Sequence, residues 1–466
     1  MKKTYLTYVE RIFVLILTCL STLGFAQDER KLVPVTRSYA ITQATIVQGP
    51  GRKIEKGTVL IKDGLISAVG PNLTIPADAI QIKGDSIYVY AGFIDGLSRV
   101  GVSRPKEDVS KEKAKDPGNP SPERAGITPQ NDVRNFLNPS DKSIEEFRAL
   151  GFTTAQVVPH VGMLPGSGSV IFLGGSSADE MVVVSKSSLY SELTPADRVY
   201  PNTVIGVMAK WRELYRQASL TKSYESTYAS NRTGIDRPST DRVLEAFYPV
   251  IDKRTPVLFK ADKALDLHRV LALQKDLGFS LIAANLKEGW DAIPKIKSSG
   301  TKVFLSLELP EEKKEVKKDD KSPVESALTD SVERKALEKR RSDFVALQTG
   351  QASSFQKAGV AFGFSTLSAK PKDIPSNLRR IIKAGLTEDQ ALAALTTNPA
   401  SLLGLSDRLG SIDAGKVANL VISRKPYFDE KSKVQYVFVD GVVYKIESKE
   451  TEKPAEKKAD KPQPKH

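Results

Sequence analysis

The residues that could do chemistry in this chain are few. There are three histidines, His160, His268 and His466, and one cysteine, Cys19. A transition-metal centre gathers three or four imidazole, thiolate or carboxylate donors at one point, so here the carboxylates would have to supply most of them. Two sets of charges stand where short apolar runs end: Asp95 and Arg99 in YVYAGFIDGLSRVG, and Lys260 and Asp262 in TPVLFKADKA. His160 follows another such run, in VVPHVGMLPGSGS, and is the histidine placed to reach a strand end. His268 falls inside the helical stretch KALDLHRVLALQKDLG and reads as a surface or packing residue. The glycine-rich run 162–169 lacks the Lys-Ser/Thr ending of a phosphate-binding P-loop and reads as a loop.

What positions these residues is an alternation of strands and helices. YVYAGFID, FTTAQVVP, TPVLFKAD, GFSLIAAN, TKVFLSL and GVAFGFST read as buried strands. KALDLHRVLALQKDLG, SSFQKAG and EDQALAALTTNPASLLG read as helices between them. Such alternation predicts a parallel α/β architecture, and a (β/α)8 TIM-like barrel over 91–406 fits the length. Residues 37–90 and 407–446 instead alternate apolar and polar positions between turns, including Asp63-Gly64 and Asp440-Gly441. Asp-Gly between alternating runs marks hairpins, so both chain ends are expected in one small composite β-sandwich domain. RPKEDVSKEKAKDPGNPSPERAGITPQ reads as a long loop after the first barrel strand, and a charged insertion near 310–342 starts as a solvated run and ends as a helix. The polar tail 447–466 has no large apolar residue and is expected to be disordered.

The first 26 residues place Lys2, Lys3 and Arg11 before an apolar run, with Gly24-Phe25-Ala26 at its end. That is the pattern of a secretory signal peptide, with Gln27 the first mature residue, and it points to export into a bacterial periplasm. Removing it removes Cys19, leaving no thiol or disulfide, and no membrane span is expected afterwards. The net charge of +13 is spread among interleaved acids with no nucleic-acid-reading module, which argues against a nucleic-acid partner.

Taken in order, ATIVQGPGRKIEKGTVLIKDGLISAVG, YVYAGFID, LTEDQALAALTTNPASLLGLSDRLGSIDAGKVANLVI and VQYVFVDGVVY resemble the amidohydrolase superfamily, in particular its imidazolonepropionase-like and prolidase-like secreted branch. The resemblance implies metal-assisted hydrolysis of carbon–nitrogen bonds, with zinc or a similar divalent ion held at the C-terminal mouth of the barrel. It also implies where the ligands should stand. The paired histidines after GFID correspond to Leu97 and Arg99, the strand-five histidine to Lys260, the strand-six histidine to Asn285 and the strand-eight aspartate to Ser365. None is the histidine or aspartate that the resemblance calls for, and a carboxylate-only Mg²⁺ or Ca²⁺ site would have only Asp95 and Asp262 as obvious ligands, so the expectation is a degenerate metal site with no cofactor.

Three readings of the mouth follow. Arg99 and Lys260 would neutralise Asp95 and Asp262 in a salt-bridged, closed mouth; or hold a small anionic ligand; or leave Lys260 as a metal-free base or nucleophile. Asp95, Arg99, His160, Lys260 and Asp262 are the candidate pocket residues. The expected function is a non-catalytic subunit or small-molecule-binding protein, a pseudoenzyme working beside an intact relative or as a homo-oligomer. The alternative is a hydrolase of non-peptide carbon–nitrogen bonds using an unusual or metal-free site.

Overall fold

Two eight-stranded sheets organise the structure, a computed structural model that describes residues 37–84, 86–105, 112–311 and 331–446. The elements below lie in the unit that begins at Ser38. The signal segment 1–26, the tail 447–466 and residues 312–330 of the charged insertion lie outside the described residues.

The first sheet is built from both ends of the chain. It contains β1 (Tyr39–Gly49), β2 (Arg52–Lys62), β3 (Leu65–Gly70), β4 (Ile80–Lys83) and β5 (Tyr88–Ala91), joined by three late strands. The order is β16-β15-β14-β5-β1-β2-β3, where β14 is Leu420–Ser423, β15 Val434–Val439 and β16 Val442–Lys445. β1 forks, pairing in parallel with β4 through its first residues and with β5 further on. The ends of the chain meet where β5 runs antiparallel to β14, Ala91 opposite Leu420. Ile41, Ile46, Val59, Val89, Leu420, Ile422 and Phe438 form its buried core. The rings of Tyr39 and Phe438 meet edge to face at 5.3 Å. β1 and β15 are three strand steps apart, about 14 Å in a flat sheet at the usual strand spacing, so the sheet curls over its own apolar face.

Both Asp-Gly hairpins are present, with positive φ at Asp63, Gly64, Asp440 and Gly441, as tight two-residue turns require. The two turns abut: a Cβ on Gly441 would lie 2.4 Å from the Gly64 Cα. Ala418 N donates to Gly64 O at 2.8 Å, which ties the early turn to the late strands.

The second sheet is the barrel. Its order is β13-β12-β11-β10-β9-β8-β7-β6, from β6 (Phe93–Ser98), β7 (Phe152–Val157), β8 (Gly166–Phe172) and β9 (Val182–Glu192) to β10 (Val257–Lys260), β11 (Leu281–Leu286), β12 (Lys302–Ser306) and β13 (Phe362–Ser365). All pairings are parallel except those of β8, which runs antiparallel to β7 and β9. The eight-stranded TIM-like barrel is therefore present with one reversed strand. The run 162–169 is not all loop, because Gly166 onward belongs to β8; its glycines and serines hide the alternation that Val170 to Phe172 completes. YVYAGFID is not one strand either. It leaves the first sheet at Ala91 and enters the barrel at Phe93, with Gly92 N donating to Asn419 O at 2.7 Å between them. The helical stretch near the end breaks at Thr396 into Glu388–Leu395 and Thr397–Leu402, and the charged insertion closes with the long helix Ser331–Lys357.

Leu97, Tyr190, Leu258, Ile282, Ala284 and Phe304 fill the barrel interior. A Cβ on Gly96 would stand 1.9 Å from the Phe304 ring, so β6 needs glycine where that ring crosses it.

Gly51 and Gly441 share a positive φ, yet Gly51 has open space around its missing Cβ. Gly51→Ala should cost about 1–2 kcal/mol, the strain of a left-handed backbone. Gly441→Ala should cost at least about 1 kcal/mol more, because the new methyl meets the opposite turn. Urea unfolding of both variants checks this, and equal losses would show that the two chain ends do not pack turn against turn.

Candidate functional site

The side chains of interest stand at or just past the C-terminal ends of the parallel barrel strands, where barrels of this kind carry their sites. Glu192 ends β9, Lys260 ends β10 and Ser365 ends β13. Asn285 lies within β11 at φ 61°, where the ladder to β12 shifts register.

Six charged groups alternate in sign across this mouth. Arg99 Nη2 stands 2.6 Å from Glu192 Oε1, and Lys260 Nζ lies 3.3 Å from Glu192 Oε2. Lys260 Nζ is also 3.6 Å from Asp262 Oδ2, which lies 3.8 Å from Lys287 Nζ. Lys287 Nζ is in turn 2.5 Å from Glu308 Oε2. The Tyr190 hydroxyl donates to Glu192 Oε1 at 2.9 Å and the Thr194 hydroxyl to Oε2 at 3.2 Å. Burial works against the Glu192 carboxylate, but Lys260 and Arg99 outweigh it and hold the pKa below its ordinary value. Burial and the adjacent Glu192 charge push the Tyr190 phenol well up, so it stays a donor. With Glu192 shared so widely, the buried Arg99 Nε has no acceptor among the described residues.

A neutral network continues from this chain. Asn285 Nδ2 donates to Asp262 Oδ1 and to Ser368 Oγ, each at 2.8 Å. The Ser365 hydroxyl lies 3.1 Å from Asn285 Oδ1 and 2.9 Å from Leu97 O. The Leu97 side chain points away from all of this, into the barrel interior.

Asp95 differs from what the sequence led us to expect. It makes no ion pair with Arg99 or Lys260. Its carboxylate is fully buried at the seam between β6 and β13, accepting from Thr366 N at 3.1 Å, from the Thr366 hydroxyl and from Leu97 N at 3.2 Å. Desolvation raises its pKa to about 7 despite those bonds. The carboxylate that does partner both cations is Glu192, which the sequence reading missed along with Lys287, Glu308 and Thr366. Glu192 is hard to read from sequence because β8 opens in Gly-Ser-Gly-Ser, which masks the β8–β9 hairpin that ends on it. Lys287 and Glu308 were findable as the first charges past LIAANL and VFLSL. His160 hydrogen-bonds Val102 O through Nε2 at 3.1 Å, and burial lowers its pKa, with Arg99 and Arg104 adding to the effect. His268 is on the helix Ala264–Leu277, facing Lys295.

Among the described residues, no three His, Cys, Asp or Glu side chains converge as a metal site. The donor set explains this: at the mouth the carboxylates of Glu192 and Asp262 already hold ammonium and guanidinium groups, and neither Asn285 nor Ser365 offers a charged ligand.

An amidohydrolase family model matches residues 262–444. Imidazolonepropionase of Flavobacterium johnsoniae is 31% identical over 113 residues, 22% of this chain, and the match spans 27% of that relative's length. The structure of an amidohydrolase from Thermotoga maritima MSB8 superposes with a TM-score of 0.69 at 23% identity, covering 88% of this chain and 100% of that one. A prolidase solved with N-methylphosphonate-L-proline gives 0.50 at 17% identity, covering 88% of this chain and 100% of that one. Residues 262–444 thus match the amidohydrolase family, and the described chain shares the fold of the solved amidohydrolase. The two solved structures speak for the shared fold alone, and the family match begins at Asp262, so it leaves Asp95, Arg99, Glu192 and Lys260 to the geometry.

The chain of charges predicts unequal costs. Glu192→Ala strands Arg99, leaves Lys260 only its 3.6 Å contact with Asp262, and should destabilise by about 3–5 kcal/mol. Lys260→Ala leaves Glu192 with Arg99, Tyr190 and Thr194, and Asp262 with Lys287 and Asn285, so about 1–2 kcal/mol should be lost. Equal costs in chemical denaturation would show that Glu192 is not the shared partner.

Asp95 gives a pH signature. Its pKa is raised on folding, from 3.8 to about 7, so the native state holds its proton more tightly than the unfolded chain. The stability this confers is complete below pH 3.8 and is lost as pH rises through about 7. Between those limits the contribution falls by at most about 1.4 kcal/mol per pH unit. Asp95→Asn should flatten this part of the stability–pH curve; a variant that parallels the parent from pH 5 to 8 would contradict the assignment.

Proposed function

We propose that this chain is an exported, periplasmic amidohydrolase-superfamily protein that folds and works without a metal ion and does not turn over as a metallohydrolase. The observation that carries the reading is Glu192 shared by Arg99 and Lys260: fixed cations occupy the strand ends where a metal's ligands would gather. A zinc-type ion activates water because its ligands leave it a net positive, open face. Here the positive charge is covalent, already paired, and has no site for water to bind as a ligand. Lys260 as a nucleophile would first have to leave both Glu192 and Asp262, so the non-catalytic reading is preferred over a metal-free hydrolase. In this reading the protein serves as a binding protein or as a subunit beside an intact relative. No helix among the described residues is long and apolar enough to cross a membrane.

Protein purified without chelator should contain substoichiometric zinc, manganese and nickel by elemental analysis. Its melting temperature should be unchanged by EDTA or by added Zn²⁺, because only a ligand that binds the native state stabilises it. An EDTA-induced drop restored by Zn²⁺ would overturn the proposal. Hydrolysis of N-acyl amino acids that survives EDTA and is abolished by Lys260→Ala would instead establish the metal-free hydrolase.

A further inference from the structure

We draw no further inference here: the strongest candidate, the surface patch on the helix Ser331–Lys357 where Phe344 and Leu347 are 41% and 50% exposed and the Phe344 ring meets Trp290 edge to face, is an apolar face turned to solvent, and nothing in the structure shows what covers it.

Discussion

A sheet becomes a barrel only when its first and last strands meet, and here that meeting rests on few bonds. β6 and β13 share no continuous ladder; Leu367 N donates to Leu97 O at 3.1 Å, and the Ser365 hydroxyl reaches the same oxygen. The Ser98 and Thr366 hydroxyls meet across the seam at 3.4 Å, and the Asp95 carboxylate accepts from both sides of it. Closure of this kind suits a carboxyl group, whose two oxygens can accept several donors at once. It also takes Asp95 out of reach of the mouth's cations. Phe304 packed over Gly96 and beside Gly363 completes the closure from within. Every strand-end side chain described above takes its position from that closed ring.

On the ring the alternating charges solve a solvation problem. Charges drawn from water among strand ends cost several kcal/mol each unless paired, and a metal site meets that cost by gathering its ligands around one ion. This chain distributes the positive charge over Arg99, Lys260 and Lys287 and places Glu192, Asp262 and Glu308 between them. At the Glu192 end Arg99 gives one short contact, Nη2 to Oε1, and leaves the other oxygen to Lys260. The longest contacts, 3.6 and 3.8 Å, meet at Asp262 in the middle of the row of charges, and at its far end Glu308 is 45% exposed, so water shares the load there.

Much of the fold could be read in the sequence because it is written in local patterns. Buried parallel strands are short apolar runs, and the hairpins at both ends carry Asp-Gly turns. What escaped lacked such a pattern. β8 begins in Gly-Ser-Gly-Ser, and the passage between sheets at Gly92 interrupts neither apolar run beside it. The site was less legible for a related reason. Spacing places Asp95 four residues from Arg99, and two side chains near each other in sequence at a strand end invite pairing. Yet Asp95 faces β13 and Arg99 reaches β9, an assignment made by long-range register that no local spacing encodes.

The same geometry explains how the barrel keeps its fold whichever side chains stand at its mouth. Beneath the mouth, Leu97, Tyr190, Leu258 and Phe304 form an apolar layer that needs nothing from the strand ends to stay packed. Tyr190 alone links the two levels, with its ring in that layer and its hydroxyl on Glu192. Substitution at the mouth is then constrained by charge balance rather than by packing: a cation is tolerated at Arg99 or Lys260 as long as Glu192 faces it. Fold and chemistry are thus separable along the barrel axis, which is why the barrel gives the architecture while the activity has to be argued from the charges above it.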